Sequence, residues 1–218
     1  MNTHHNQELS QLKDKLLAMA SLTQMSVTLA IRALTERDDE LAERVKRADT
    51  EIDELEMDID DSAISLLSKA PLARDLRFII VAMKISQNLE RAGDEATSIA
   101  KQALKLNREP QLKPYVDIPR MAELGLAMMN EALDAFINGD TAKARAVIPQ
   151  DKEVNELHKQ LQRELVSYII ESPPNITRAL PLMTIAKRLE RIADHATNIA
   201  EEVVFLYEAQ DIRHTDKG

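Results

Sequence analysis

The sequence of 218 residues contains no cysteine and no tryptophan, and it has few glycines, prolines or aromatic residues. Without cysteine the chain can form no disulfide framework, no Cys-ligated zinc or iron–sulfur site and no thiol nucleophile. Only four glycines, eight prolines and 3% aromatic residues stand beside 44% hydrophobic residues, a composition that excludes collagen and disorder and argues against most all-β folds. The chain is long enough to form one or two globular domains with a substantial core.

Positive charge is also in short supply. The 37 acidic residues outnumber the 28 basic ones, which leaves a formal charge of −9 and makes a nucleic-acid partner unfavourable because the chain would repel a phosphate backbone. No uninterrupted apolar run reaches the roughly 20 residues that span a bilayer, and Met1 to Glu8 are mostly polar, unlike an export signal. We expect a cytoplasmic protein that is not inserted in a membrane.

The hydrophobic residues that are present recur at steps of three and four. Leu41, Val45, Ala48 and Ile52 illustrate the pattern, which is typical of a helix with one buried face. Breakers are sparse and divide the chain into six long helices, an all-α fold: Asp38–Asp39, Pro71, the segment from Asn107 to Pro119, Gly139, Pro149 and Pro173–Pro174. The predicted helices are 7–36, 40–69, 72–106, 118–137, 141–171 and 175–209.

The second half of the sequence repeats the first. The segment Leu89–Ala100 recurs as Leu189–Ala200 with eight of twelve residues identical, and the segment Asp49–Leu55 recurs upstream as Asp151–Leu157. Each half contains three predicted helices that can bury their apolar faces only against one another. The sequence therefore predicts two tandem three-helix bundles, with domains at 1–110 and 111–218.

Acidic side chains follow the apolar stripes of these repeats. Glu90 and Asp94 are four residues apart, as are Asp49 and Asp53 on the preceding helix, so each pair projects from one helix face. Two adjacent helices can then bring several carboxylates together, and their mutual repulsion favours a hard cation with oxygen ligands. Magnesium, calcium, manganese and iron are all compatible with these ligands, and zinc is less favoured without cysteine, although His195 beside Asp194 could assist. The corresponding positions of the second half are Asp151, Asn155, Glu190 and Asp194.

Other interpretations of the acidic pairs stay open on the residues alone. Acidic residues at this spacing are common on solvated helix faces, and Arg91 and Arg191 could pair with Asp49 and Asp151 in weak surface ion pairs. A carboxylate-bridged metal enzyme or an iron-handling bundle is a second alternative, but no histidine follows a glutamate by three residues as a di-iron site requires. The motifs of nucleotide-binding and hydrolytic enzymes are also missing. We expect a non-enzymatic protein.

The two Leu-Glu-Arg-x-x-Asp-x-Ala-Thr-x-Ile-Ala segments and the two Asp-x-x-(Ile/Val)-(Asp/Asn)-x-Leu segments resemble the PhoU family of bacterial phosphate-uptake regulators. The resemblance covers nearly the whole chain. It implies paired three-helix bundles whose Glu/Asp-x-x-x-Asp motifs hold metal ions, in some members as multinuclear iron or zinc clusters. Carried over by position, the implied ligands are Asp49, Asp53, Glu90, Asp94, Asp151, Asn155, Glu190 and Asp194. Asn155 departs from a fully acidic set, so we expect weaker binding in the second half.

The resemblance also implies a role and partners that the residue pattern does not show. The role is to damp phosphate-starvation signalling and phosphate import when phosphate is plentiful. The implied partners are a membrane sensor histidine kinase and the ATPase subunit of the phosphate importer. We further expect a homodimer, and a metal cofactor drawn from iron, zinc, magnesium or manganese. A related accessory protein that acts on a different carrier is an alternative.

Overall fold

The computed structural model describes residues 3–69 and 73–212, and within these ranges the chain forms helices and no strands. The all-α prediction is therefore confirmed. The predicted break at Pro71 and the tail beyond residue 212 lie outside the described residues. The helices are α1 (Thr3–Thr35), α2 (Asp39–Leu67), α3 (Ala73–Leu106), α4 (Asp117–Asn138), α5 (Thr141–Val147), α6 (Asp151–Glu171) and α7 (Ile176–Glu208).

The first turn between helices has the same chemistry in both halves. Asp38 caps α2 by accepting hydrogen bonds from the backbone N–H groups of Glu40 and Leu41 at 2.9 and 3.3 Å, and Asp140 caps α5 through the N–H of Lys143 at 2.9 Å. The residue before each cap is left-handed, with φ of 55° at Arg37 and 69° at Gly139. The repeat therefore extends to the backbone conformation of its turns.

The predicted helix 141–171 is interrupted. A 3₁₀ turn at Ile148–Gln150 separates α5 from α6, and Pro149 stands in its middle. Proline has no N–H group and its ring crowds the preceding turn, which breaks the α-helical hydrogen-bond pattern there. A second 3₁₀ turn, Pro173–Asn175, precedes α7.

Two three-helix bundles result, as predicted. Helices α1, α2 and α3 pack on one another, and α4 and the α5–α6 pair pack on α7. One helix, α1 from His5 to Thr35, is long and apolar enough to cross a membrane by length and composition. However, Leu12, Leu16 and Met19 are at most 1% exposed, and the start of α1 is held to α3 by His5 and Asp75 at 3.1 Å. Helix α1 is thus the core helix of the first bundle.

The halves meet through α3 and α7, which run antiparallel. Contacts along this seam join Arg77 to the Leu206 carbonyl at 3.3 Å, Lys84 to Glu202 at 3.1 Å and Arg188 to Glu95 at 2.9 Å. Residue numbers rise along α3 while they fall along α7, so the duplicated segments around Gly93 and Ala193 lie side by side at the centre. This packing brings the acidic motifs of both halves to one place.

Candidate metal-binding sites

The first cluster of candidate ligands lies where α2 packs on α3. Glu90 and Asp94 lie one helical turn apart on α3, and the charge of Asp94 acts on Glu90. Partial burial, then the negative charges of Asp94 and Glu56, raises the pKa of Glu90 from 4.5 to about 7. Desolvation and the like charges gathered on two helices together produce this effect.

The carboxyl groups that α2 contributes to this cluster lie in the same negative electrostatic field. Burial, and then the charges of Asp49 and Asp94, raises the pKa of Asp53. The Thr97 hydroxyl donates a hydrogen bond to Asp49 Oδ1 at 2.9 Å across the seam. The structure therefore brings together the four residues predicted for this half.

Glu56 is a member of the first cluster that sequence reasoning missed. Its pKa is raised by burial and by the charges of Asp60, Asp53 and Asp94. Glu56 follows Asp49 by seven residues, which places it on the same helix face. A further step of three residues from Asp53, which also spans about one helical turn, could have found it.

The second cluster lies where α6 packs on α7. Burial, and then the charges of Glu190 and Asp151, raises the pKa of Asp194 from 3.8 to about 6. The Asn155 side-chain amide donates to Asp151 Oδ2 at 2.5 Å, and Lys187 pairs with Glu190. The four predicted positions are again adjacent, but with less negative charge than in the first cluster.

His158 occupies in the second half the place that Glu56 has in the first. It follows Asp151 by seven residues and is 8% exposed. Burial lowers the pKa of this imidazole, and the nearby Glu190 charge opposes that effect. The His158 Nε2 atom is buried without a hydrogen-bond partner, and sequence reasoning missed this residue as well.

Both clusters border one central groove of about 450 Å³, which we define by Arg91, Asp94, Glu95, Arg191, Asp194, His195 and Asn198. Arg191 pairs with Glu95 at 3.2 Å and not with Asp151, so that alternative pairing is wrong. His195 Nδ1 contacts Asn88 Oδ1 at 3.1 Å across the seam. The central groove therefore separates Asp94 of one half from Asp194 of the other.

The oxygen and nitrogen atoms of the two clusters are donors that suit a cation, but they do not form a closed ligand group. Within the described residues no three acidic or histidine side chains already form a ligand group for a metal ion. Within each cluster the carboxyl groups act on one another electrostatically, so a ligand group would have to form by rearrangement of these side chains. The raised carboxyl pKa values and the orphaned polar atoms of the second cluster both fit a hard or borderline divalent ion.

The fold and the paired clusters define a class of protein: a duplicated three-helix scaffold with an acidic cluster in each half. The PhoU domain family model matches residues 16–103 and again residues 118–203. The chain belongs to the PhoU family.

Similar proteins span almost the whole chain. A phosphate-specific transport system accessory protein PhoU homolog of Aquifex aeolicus is 44% identical over 95% of this chain and 94% of its own length. The homolog of the same name from Pseudomonas aeruginosa is 39% identical over 97% of this chain and 90% of its own length. These relatives are named as accessory proteins of phosphate transport.

Solved structures show the same architecture. The crystal structure of PhoU from Pseudomonas aeruginosa superposes with a TM-score of 0.91 at 39% identity, covering 94% of this chain and 99% of that one. The phosphate transport system regulatory protein PhoU from Streptococcus pneumoniae gives 0.88 at 28% identity, covering 95% and 99%. The tandem-bundle fold is therefore shared with both.

Proposed function

We propose that this chain is a cytoplasmic, metal-binding regulator of phosphate uptake that represses phosphate-starvation signalling without catalysing a reaction. The observation that carries the proposal is the pair of carboxylate-rich clusters on either side of the central groove. The names of its relatives support a role in phosphate transport, and both halves carry the fold and the acidic motifs of the family.

In this proposal Asp49, Asp53, Glu90 and Asp94 hold a cation in the first half. The corresponding second set is Asp151, Asn155, Glu190 and Asp194. A bound ion of iron, zinc, magnesium or manganese would supply positive charge that relieves the repulsion within each cluster. The helix seams α2–α3 and α6–α7 would then be held together more firmly, which would stiffen the surface presented to a partner.

The partners in this proposal are the sensor histidine kinase of the phosphate response and the ATPase subunit of the phosphate importer, with the chain acting as a homodimer. Regulation of that kind requires the chain to bind one state of a partner more tightly than another. Binding of the purified chain to the ATPase subunit and to the cytoplasmic part of the kinase should be measurable by calorimetry. Equal affinity for both states of both partners would contradict an adaptor role.

Metal binding is tested by changing one carboxylate in each cluster. We expect Asp94→Asn combined with Asp194→Asn to keep the helical circular dichroism spectrum, because these side chains border the core without filling it. The metal retained after dialysis, measured by elemental analysis, should fall by at least half. A control with the same loss of charge is Asp14→Asn combined with Glu171→Gln, since both of these residues are exposed. Unchanged metal content in the site variant would refute the ligand assignment.

A further inference from the structure

The two clusters offer different donor atoms at matching positions. The first contains five carboxylates: Asp49, Asp53, Glu56, Glu90 and Asp94. The second contains three, because Asn155 replaces Asp53 and His158 replaces Glu56, and Lys187 pairs with one of the three, Glu190. An all-oxygen set favours hard cations, whereas an imidazole nitrogen favours borderline ones such as Zn²⁺ or Fe²⁺.

His158 is placed as a ligand would be. Asp151, Asn155 and His158 are spaced by four and three residues on α6, so they share one face of that helix. This face meets α7 at Glu190, whose charge acts on both Asp151 and His158. The imidazole is 8% exposed, and its Nε2 atom has no hydrogen-bond partner. A buried polar atom is normally paired, so an unpaired one that lies in the field of the Glu190 carboxylate points to a ligand.

Two further buried atoms at this seam are also without a partner, namely Asp151 Oδ1 on α6 and Thr197 Oγ1 on α7. In the first half the equivalent threonine and aspartate satisfy each other, through Thr97 and Asp49 at 2.9 Å. Of these two equivalent threonine–aspartate pairs, only the pair in the second half has buried atoms without a hydrogen-bond partner. An ion held by α6 and α7 would engage the oxygen and the nitrogen together.

We infer, on the basis of the proposed metal binding, that the two halves hold different cations and that His158 Nε2 is a ligand of the second. The second site takes a borderline divalent ion through His158, Asp151 and Asp194, with Asn155 orienting Asp151 by its hydrogen bond. The first site takes a hard divalent ion through oxygens alone, with Glu56 as an additional ligand.

The inference is tested on the full chain, stripped of metal and saturated with Mg²⁺, by titration with Zn²⁺. Long-range ¹H–¹⁵N spectra should show the Nε2 resonance of one histidine shifting on Zn²⁺ addition, and His158→Gln should remove that resonance. Calorimetry should show that His158→Gln weakens Zn²⁺ binding by tenfold or more and leaves Mg²⁺ binding within twofold. His5→Gln is the matched control, since His5 contacts Asp75 at the start of α1, away from both clusters, and we expect it to leave Zn²⁺ binding unchanged.

Exchanging the two matching residues gives a second test. The double variant Glu56→His with His158→Glu should move the Zn²⁺-sensitive imidazole resonance to the first half and weaken Mg²⁺ binding there. The spectra of the unaltered chain decide the question even if a variant folds poorly by circular dichroism.

Two results would overturn the inference, and they differ in what else they overturn. If Zn²⁺ binds but no imidazole resonance shifts and His158→Gln binds equally well, the nitrogen ligand is wrong while the proposed metal binding stands. If neither Zn²⁺ nor Mg²⁺ binds the unaltered chain, the proposed metal binding fails and the inference fails with it.

Discussion

Glu90 shows most directly how helix geometry alters the chemistry of a single residue. Its partly buried carboxyl group lies beside Asp94 on its own helix and near Glu56 and Asp53 on α2, and its pKa rises to about 7. A proton or a cation can each relieve this repulsion. Proton and metal therefore compete for the same oxygens, and metal affinity should increase with pH.

This competition predicts how the stability of the metal-free chain depends on pH. The pKa of Glu90 is 4.5 in the reference state and about 7 in the folded chain, so between these values the folded state binds more protons than the unfolded state. The stabilisation is present at low pH and is lost as pH rises through about 7. We expect the free energy of unfolding of the metal-free chain, from urea denaturation, to fall over this range.

Replacing the titrating group isolates its contribution. Glu90→Gln should flatten part of that pH dependence, whereas Glu171→Gln, at an exposed position, should leave it as in the parent chain. Identical pH profiles for the parent chain and Glu90→Gln would show that Glu90 titrates normally.

At the scale of the helices, two glycines test how closely the bundles are packed. A Cβ atom at Gly93 would lie 2.9 Å from Ile52 Cδ1, whereas one at Gly125 would meet Ile192 Cγ2 at 3.6 Å, an ordinary contact. Alanine favours a helix interior over glycine by up to about 1 kcal/mol. We expect Gly125→Ala to raise the free energy of unfolding by about 0.5–1 kcal/mol.

The matched variant Gly93→Ala should gain less than Gly125→Ala, or lose stability, because Ile52 must move to make room. Thermal and urea denaturation of both variants against the parent chain provide the measurement. Equal gains at the two positions would mean that α2 lies farther from α3 than the structure indicates.

The sequence predicted the helices more completely than it predicted the clusters. Hydrophobic periodicity is a local signal, so most helix bounds were predicted to within a few residues, and Pro149 was recognised as a breaker although not as the end of α5. Glu56 and His158 were missed because the acidic pattern was followed for one helical turn only. Whether the assigned ligands bind metal stays a prediction.

The docking of the halves could not be predicted, because local periodicity says nothing about which helices of two bundles meet. Glu95 had the sequence context of a surface residue, yet it is 7% exposed. It accepts hydrogen bonds from Arg188 at 2.9 Å and Arg191 at 3.2 Å, both on α7. A buried charge with partners from the other half is a contact that only the folded molecule defines.

For the whole molecule, Glu95 therefore tests the seam between the halves. Glu95→Gln removes the charge that both arginines face, and since these arginines are 32% and 48% exposed, water can partly replace it. Charged hydrogen bonds contribute about 1.5–3 kcal/mol each when buried, so we expect a loss of about 1–3 kcal/mol in the free energy of unfolding. Urea denaturation measures this loss, with Glu171→Gln as the exposed control; equal stability of the two variants would contradict a stabilising role.

The antiparallel seam has a topological consequence as well. The early turns of α3 contact the start of α1 and the last turn of α7, because Asp75 faces His5 and Arg77 reaches the Leu206 carbonyl. The start of α1 and the end of α7 are therefore neighbours. A circular permutation that linked α7 to α1 and opened the connection between α3 and α4 would reverse the order of the halves without separating any packed pair of helices. The packing of the helices therefore does not determine which half comes first along the polypeptide.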